Sequence, residues 1–198
     1  MNPFTFLLSL IVTAGLVSCL TSCRNNNNSN KSSTQLPEKK INPENDTMFR
    51  ELRNMAFNIP LDQLQISETL EEKKPYGIIM DWHLGEGIAT LVSYSTGDAS
   101  LYLSTGGGVI GGGQHINVSK VAKGFVNMAN DYIDKTVRSD STTLPKEDLV
   151  AFCFLTKTGR FVAGESMKNI ENNSSLWLPL FEEANKVITE LRKISGKM

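Results

Sequence analysis

Three observations in the sequence predict an α+β domain. Short apolar runs cluster between residues 76 and 103, amphipathic helical stripes stand on either side of them, and the turn-like links between the runs are too brief for a parallel crossover. The expected order is α-β-β-β-α-β-β-α, giving an antiparallel sheet of about five strands covered by helices on one or both faces. A chain of 198 residues, 40% hydrophobic and 21% charged, is long enough for one such domain with extensions.

The first helix follows Asp46 or Thr47, either of which can cap it, and carries Met48, Phe49, Leu52, Met55 and Ala56 at helical spacing until Pro60 stops it. Residues 61–64 add a turn, and a polar bridge over 67–74 leads to Pro75. Strands are expected over 76–82, 88–94 and 99–103, separated by Gly85-Glu86-Gly87 and by Ser95-Thr96-Gly97-Asp98, where Asp98 reads as a turn residue. After a glycine-rich loop, a helix over 116–135 has the stripe Val118, Val121, Ala122, Phe125, Ala129, Tyr132 and Ile133. A loop over 136–147 precedes strands at 149–155 and 160–163. The last helix, 176–194, places Trp177, Leu180, Phe181, Ala184, Val187, Ile188, Leu191 and Ile194 on one side. Trp82 and Trp177 are expected in the core or at its rim. In size and general order this arrangement is similar to profilin-like and roadblock-like domains, although three strands rather than two precede the central helix.

Upstream of the domain the composition changes. Residues 1–23 carry no charged side chain, and the apolar run from Phe4 to Val17 has the length of an export signal, short of the roughly 20 residues that span a bilayer. Leu20-Thr21-Ser22-Cys23 follows, and Leu16-Val17-Ser18-Cys19 has the same form four residues earlier. These motifs resemble the lipobox of bacterial lipoproteins. The resemblance implies a signal peptide over 1–22, cleavage before Cys23 (alternatively Cys19), and acyl chains such as palmitate on that cysteine. Two or three acyl chains hold a protein stably, whereas one holds it only marginally. Cys23 is favoured because the polar stretch begins directly after it. Arg24 stands where inner-membrane lipoproteins often carry Asp, which leaves the outer membrane open as a destination. Residues 23–45 comprise the acylated cysteine and a disordered tether. With Leu36 and Ile41 as its only aliphatic residues, the tether cannot bury enough surface to offset ordering, and it reaches about 25 Å. The domain then occupies 46–198. The implied location is the cell envelope, on the periplasmic or external side.

Lys and Arg number 20 against 21 Asp and Glu, which lacks the basic excess of a nucleic-acid binder. Two histidines and three cysteines supply no multi-His metal site or disulfide framework, and no cofactor is implied. The most unusual feature is the loop over 106–113, in which Gly106, Gly107, Gly108, Gly111, Gly112 and Gly113 surround Val109 and Ile110. It satisfies G-x-G-x-x-G literally, but no βαβ unit surrounds it and no acid ends a second strand where a ribose would bind. Two readings remain open. The loop is a tightly packed strand end in which Val109 and Ile110 plug the core, or its bare amides, with His115 beside them, contact a ligand or partner.

Other candidates for chemistry are few. Asp81, His83 and Glu86 sit near the first hairpin, where the two acids could pair and the imidazole could move a proton. His115 could instead satisfy the start of the helix. Cys153, on the face with Ala151 and Leu155, reads as a buried small hydrophobe.

The runs Tyr76-Gly77-Ile78-Ile79-Met80-Asp81-Trp82, Gly87-Ile88-Ala89-Thr90-Leu91-Val92-Ser93 and Ala99-Ser100-Leu101-Tyr102-Leu103-Ser104, together with the glycine loop through His115, resemble a widespread uncharacterised bacterial family. The likeness extends through Val187-Ile188-Thr189-Glu190-Leu191-Arg192 and brings no catalytic residues with it. The expected function is therefore a lipid-anchored envelope module that binds a protein or small ligand through the glycine-loop edge, an immunity-type protein being one form. The alternative is a small hydrolase or transferase that uses the loop amides as an anion site and His115 or His83 as base.

Overall fold

The computed structural model describes residues 43–67 and 69–196. The signal segment, Cys19, Cys23 and the tether up to residue 42 lie outside the described residues. Helix α1 (Pro43–Phe57) begins inside the segment expected to be tether, because Pro43 suits a first helical turn and Glu44 and Asp46 face the positive end of the helix dipole. The α+β class holds. The sheet has seven strands rather than five: β1 (Gly77–Leu84), β2 (Gly87–Tyr94), β3 (Ala99–Leu103), β4 (Gly108–Val109), β5 (Val137–Arg138), β6 (Leu149–Thr156) and β7 (Gly159–Ser166). Their spatial order is β4-β3-β2-β1-β6-β7-β5, and every pairing is antiparallel. The two extra strands are two-residue edge pieces, too short to show an alternating pattern.

The remaining helices are α2 (Ile116–Ala129), α3 (Met167–Glu171) and α4 (Leu178–Ser195). Helix α2 is six residues shorter than the stripe suggested. Asn130 ends it by donating from its side chain to the Asn127 carbonyl at 2.8 Å, and a 3-10 turn at Ile133–Lys135 follows. Helix α3 is a single turn, capped by the Ser166 hydroxyl accepting from the Asn169 amide at 3.2 Å.

Alternation along β1 and its neighbours divides the core in two. Ile78, Met80, Trp82, Leu91, Phe152 and Phe154 face α2 and α4, where Phe125, Leu180, Phe181 and Leu191 are fully buried. Trp82 meets Phe181 edge to face at 5.0 Å, and Trp177 stacks on Phe152 at 5.7 Å, so both tryptophans belong to the core. On the opposite face Ile79, Val92, Tyr102, Cys153 and Leu155 pack against Phe49, Ala56 and Phe57 of α1. The Tyr94 hydroxyl reaches across to the Ala56 carbonyl at 2.8 Å, and burial pushes that phenol well above its usual range.

These layers differ in what a truncation costs. Phe181→Ala removes the partner of Trp82 and is expected to lower unfolding free energy in urea by about 3–5 kcal/mol. Met48→Lys, at a side chain 58% exposed on α1, is expected to change it by less than about 0.5 kcal/mol.

Candidate functional site

The glycine loop is built by close packing. A Cβ on Gly108 would lie 2.2 Å from the Leu101 carbonyl oxygen, on Gly112 2.5 Å from Leu191 Cδ2, and on Gly113 2.1 Å from Asp98 Oδ1. At Gly106 it would lie 2.6 Å from the Asn45 side chain, whose Nδ2 donates to the Thr105 carbonyl at 3.2 Å. Gly107 and Gly111 have open space around them. Part of the backbone is already engaged: the Gly106 amide donates to Leu103 O at 3.0 Å and the Gly111 amide to Ser100 Oγ at 3.1 Å. The loop is thus a strand end held close to β3, α2 and α4, but Val109 and Ile110 do not plug the core. Val109 is half-buried and Ile110 is 66% exposed, because β4 is the edge strand of the sheet.

His115 occupies the cap position of α2 with extended backbone (φ −87°, ψ 117°), yet its imidazole makes no capping bond. The backbone does that work. The His115 carbonyl accepts from the Ser119 amide at 2.9 Å, while the His115 amide donates to Gly112 O at 3.0 Å. The imidazole itself is exposed, and Ile116 beside it is 83% exposed.

Asp81 is not at a hairpin tip. Strand β1 continues to Leu84, the turn is Gly85-Glu86, and Asp81 lies within the sheet between Thr90 and Ala151, 3% exposed. Its described partners are basic and hydroxylic. Arg53 of α1 grips it with two bonds, Nε to Oδ1 at 3.0 Å and Nη2 to Oδ2 at 2.6 Å, and the Thr90 hydroxyl donates to Oδ1 at 2.5 Å. Arg53 Nη1 also donates to the Thr142 carbonyl at 2.6 Å. A buried carboxylate with this many donors ties α1 to the sheet. His83, opposite Ile88 in the hairpin, is half-buried, and its Nδ1 has no hydrogen-bond partner among the described residues.

Cys153 is buried as expected. Burial pushes its thiol up to about 12, Arg160 pulls it down less strongly and Asp81 adds to the rise, so almost no thiolate exists near neutrality. No group of three or more potential metal-ligating side chains occurs among the described residues, and no described helix is long and apolar enough to cross a membrane.

Sequence reasoning did not single out Arg53 and Thr90. The signals were an arginine one turn from Phe49 and Phe57 on the apolar stripe of α1, and an acid inside the apolar run of β1. The chain matches no known protein-family profile, no curated protein and no solved structure.

The packing separates two glycines cleanly. Gly107→Ala adds only the strain of a left-handed backbone (φ +82°, open space), expected at about 1–2 kcal/mol. Gly108→Ala must also displace β3 backbone, and is expected to cost at least about 3 kcal/mol in urea unfolding and to expose the β3 edge amides to hydrogen exchange.

Proposed function

We propose that the chain is a lipid-anchored binding module of the bacterial cell envelope, tied to the membrane through acylated Cys23 and contacting a protein partner through the glycine-loop edge. The anchoring half of this reading rests on the lipobox Leu20-Thr21-Ser22-Cys23 and the polar tether after it. The binding half rests on one structural observation: Ile110, 66% exposed, extends from a loop whose Gly108 packs against β3 and whose Gly112 packs against α2 and α4, and Ile116, 83% exposed, opens α2 directly after that loop. Large apolar side chains on a rigid support bind with little ordering cost, whereas the same residues on a slack loop would lose entropy on contact. Binding fits the loop better than catalysis, since neither imidazole is hydrogen-bonded to a described nucleophilic side chain.

In cells fed labelled palmitate, Cys23→Ser is expected to abolish incorporation and release the protein from membranes, while Cys19→Ser retains both. With the anchored chain as bait, the double variant Ile110→Asp, Ile116→Asp is expected to keep its thermal midpoint and lose about tenfold or more of the partner recovered by quantitative mass spectrometry. Label retained in a variant lacking both cysteines contradicts the anchor. Equal recovery with the aspartate variant contradicts the binding edge.

A further inference from the structure

A second cleft, separate from the glycine loop, lies between α1 and the segment around residue 142. It encloses about 440 Å³ and is lined by Arg50, Arg53, Asn54, Phe57, Thr142 and Leu144 among others, with no acidic side chain in its wall. That volume lies within the range of small-molecule sites.

The donors around it are unevenly used. Arg50 engages Asp46 through Nε alone, at 2.8 Å, which leaves its terminal nitrogens for another acceptor. Asn54 Oδ1 accepts from Asn58 Nδ2 at 2.9 Å, so its own amide protons point elsewhere. Arg53 is nine-tenths buried, and its charge is matched by Asp81 behind the wall. Arg160 is different. Its guanidinium sits 5.3 Å from the centre of the Phe57 ring and donates to neutral oxygens, Phe57 O at 3.2 Å and Asn58 Oδ1 at 2.9 Å. Arg53 lies 4.7 Å from the same ring. The cleft wall itself holds two arginines, Arg50 and Arg53, whose carboxylate partners Asp46 and Asp81 stand outside the lining, while Arg160 lies beyond the wall, against Phe57. Phe57 and Leu144 supply an apolar surface beside these donors.

We propose that this cleft binds a small molecule carrying an oxyanion, a carboxylate or a phosphate, on an apolar body, with Arg50 and Asn54 donating to the oxyanion and the apolar part against Phe57 and Leu144. Guanidinium groups favour planar or tetrahedral oxyanions because they offer paired, charged donors. Arg53 is the fixed floor and positions the Thr142 segment that closes the cleft.

The test is titration of the full chain in detergent with phenyl phosphate, benzoate, benzyl alcohol and inorganic phosphate, followed by calorimetry. Phenyl phosphate or benzoate is expected to bind saturably and at least about tenfold more tightly than benzyl alcohol or inorganic phosphate, and which of the two binds identifies the oxyanion. Arg50→Gln is expected to weaken that binding about tenfold with an unchanged thermal midpoint. Should Arg50→Gln lower the midpoint, Asn54→Leu reads the same donor set. No saturable binding of either oxyanion up to about 10 mM, equal binding of benzyl alcohol or of inorganic phosphate, or binding indifferent to a folded donor variant overturns the proposal.

Discussion

The arrangement depends on one buried interaction: the Arg53 guanidinium closed onto the Asp81 carboxylate, with the Thr90 hydroxyl completing the acceptor's shell. Two charges in an apolar layer are costly to desolvate, and they persist there only when the geometry supplies nearly all the bonds they lose from water. That requirement restricts the position of α1 on the sheet. A shift by one helical turn would separate the charges and strand both in a low-dielectric layer. The same guanidinium binds the Thr142 carbonyl, so the segment before β6 is held by the contact that holds α1. Weaker ties act around it: Asn45 to the Thr105 carbonyl, Tyr94 to the Ala56 carbonyl, and Arg160 to the Phe57 carbonyl.

Most of the fold was legible in the sequence because hydrophobic period and turn chemistry coincide there. Gly85-Glu86 and Ser95-Thr96-Gly97-Asp98 join short, nearly continuous apolar runs, the mark of strands covered on both faces, and the structure pairs those runs in sequence order. The five long strands, α2 and α4 were readable for this reason. Edge strands β4 and β5 were not, since two residues carry no period and their pairing is decided by the neighbour they meet. The end of α2 was misread because Tyr132 and Ile133 continue the apolar spacing beyond Asn130, where a side-chain bond to the Asn127 carbonyl closes the helix.

The sites were less legible. Glycine content marked the loop over 106–113 as unusual, but which glycines are wedged and which are open depends on Leu101, Asp98, Asn45 and Leu191, distant in sequence. The same holds for Ile110: an isoleucine next to glycines beside a strand reads as core until the sheet edge is known to end there. Asp81 looked like a hairpin acid because the strand's length was underestimated by two residues. Its true role needed Arg53, 28 residues earlier, to be seen across the helix–sheet interface. Cys153 was readable throughout, since it stands inside the apolar run of β6, whose residues 152–156 are buried on both faces.

A double-mutant cycle at Arg53 and Asp81, read by urea unfolding of Arg53→Met, Asp81→Leu and the pair together, tests the central interaction most directly. Each single variant is expected to lose about 3–5 kcal/mol, because one charge is left buried without its partner, and the double variant to recover most of one such loss. Single variants within about 1 kcal/mol of the parent, or a double variant whose loss equals the sum of the two, would show that α1 is held by apolar packing alone and that the ion pair does not organise this face.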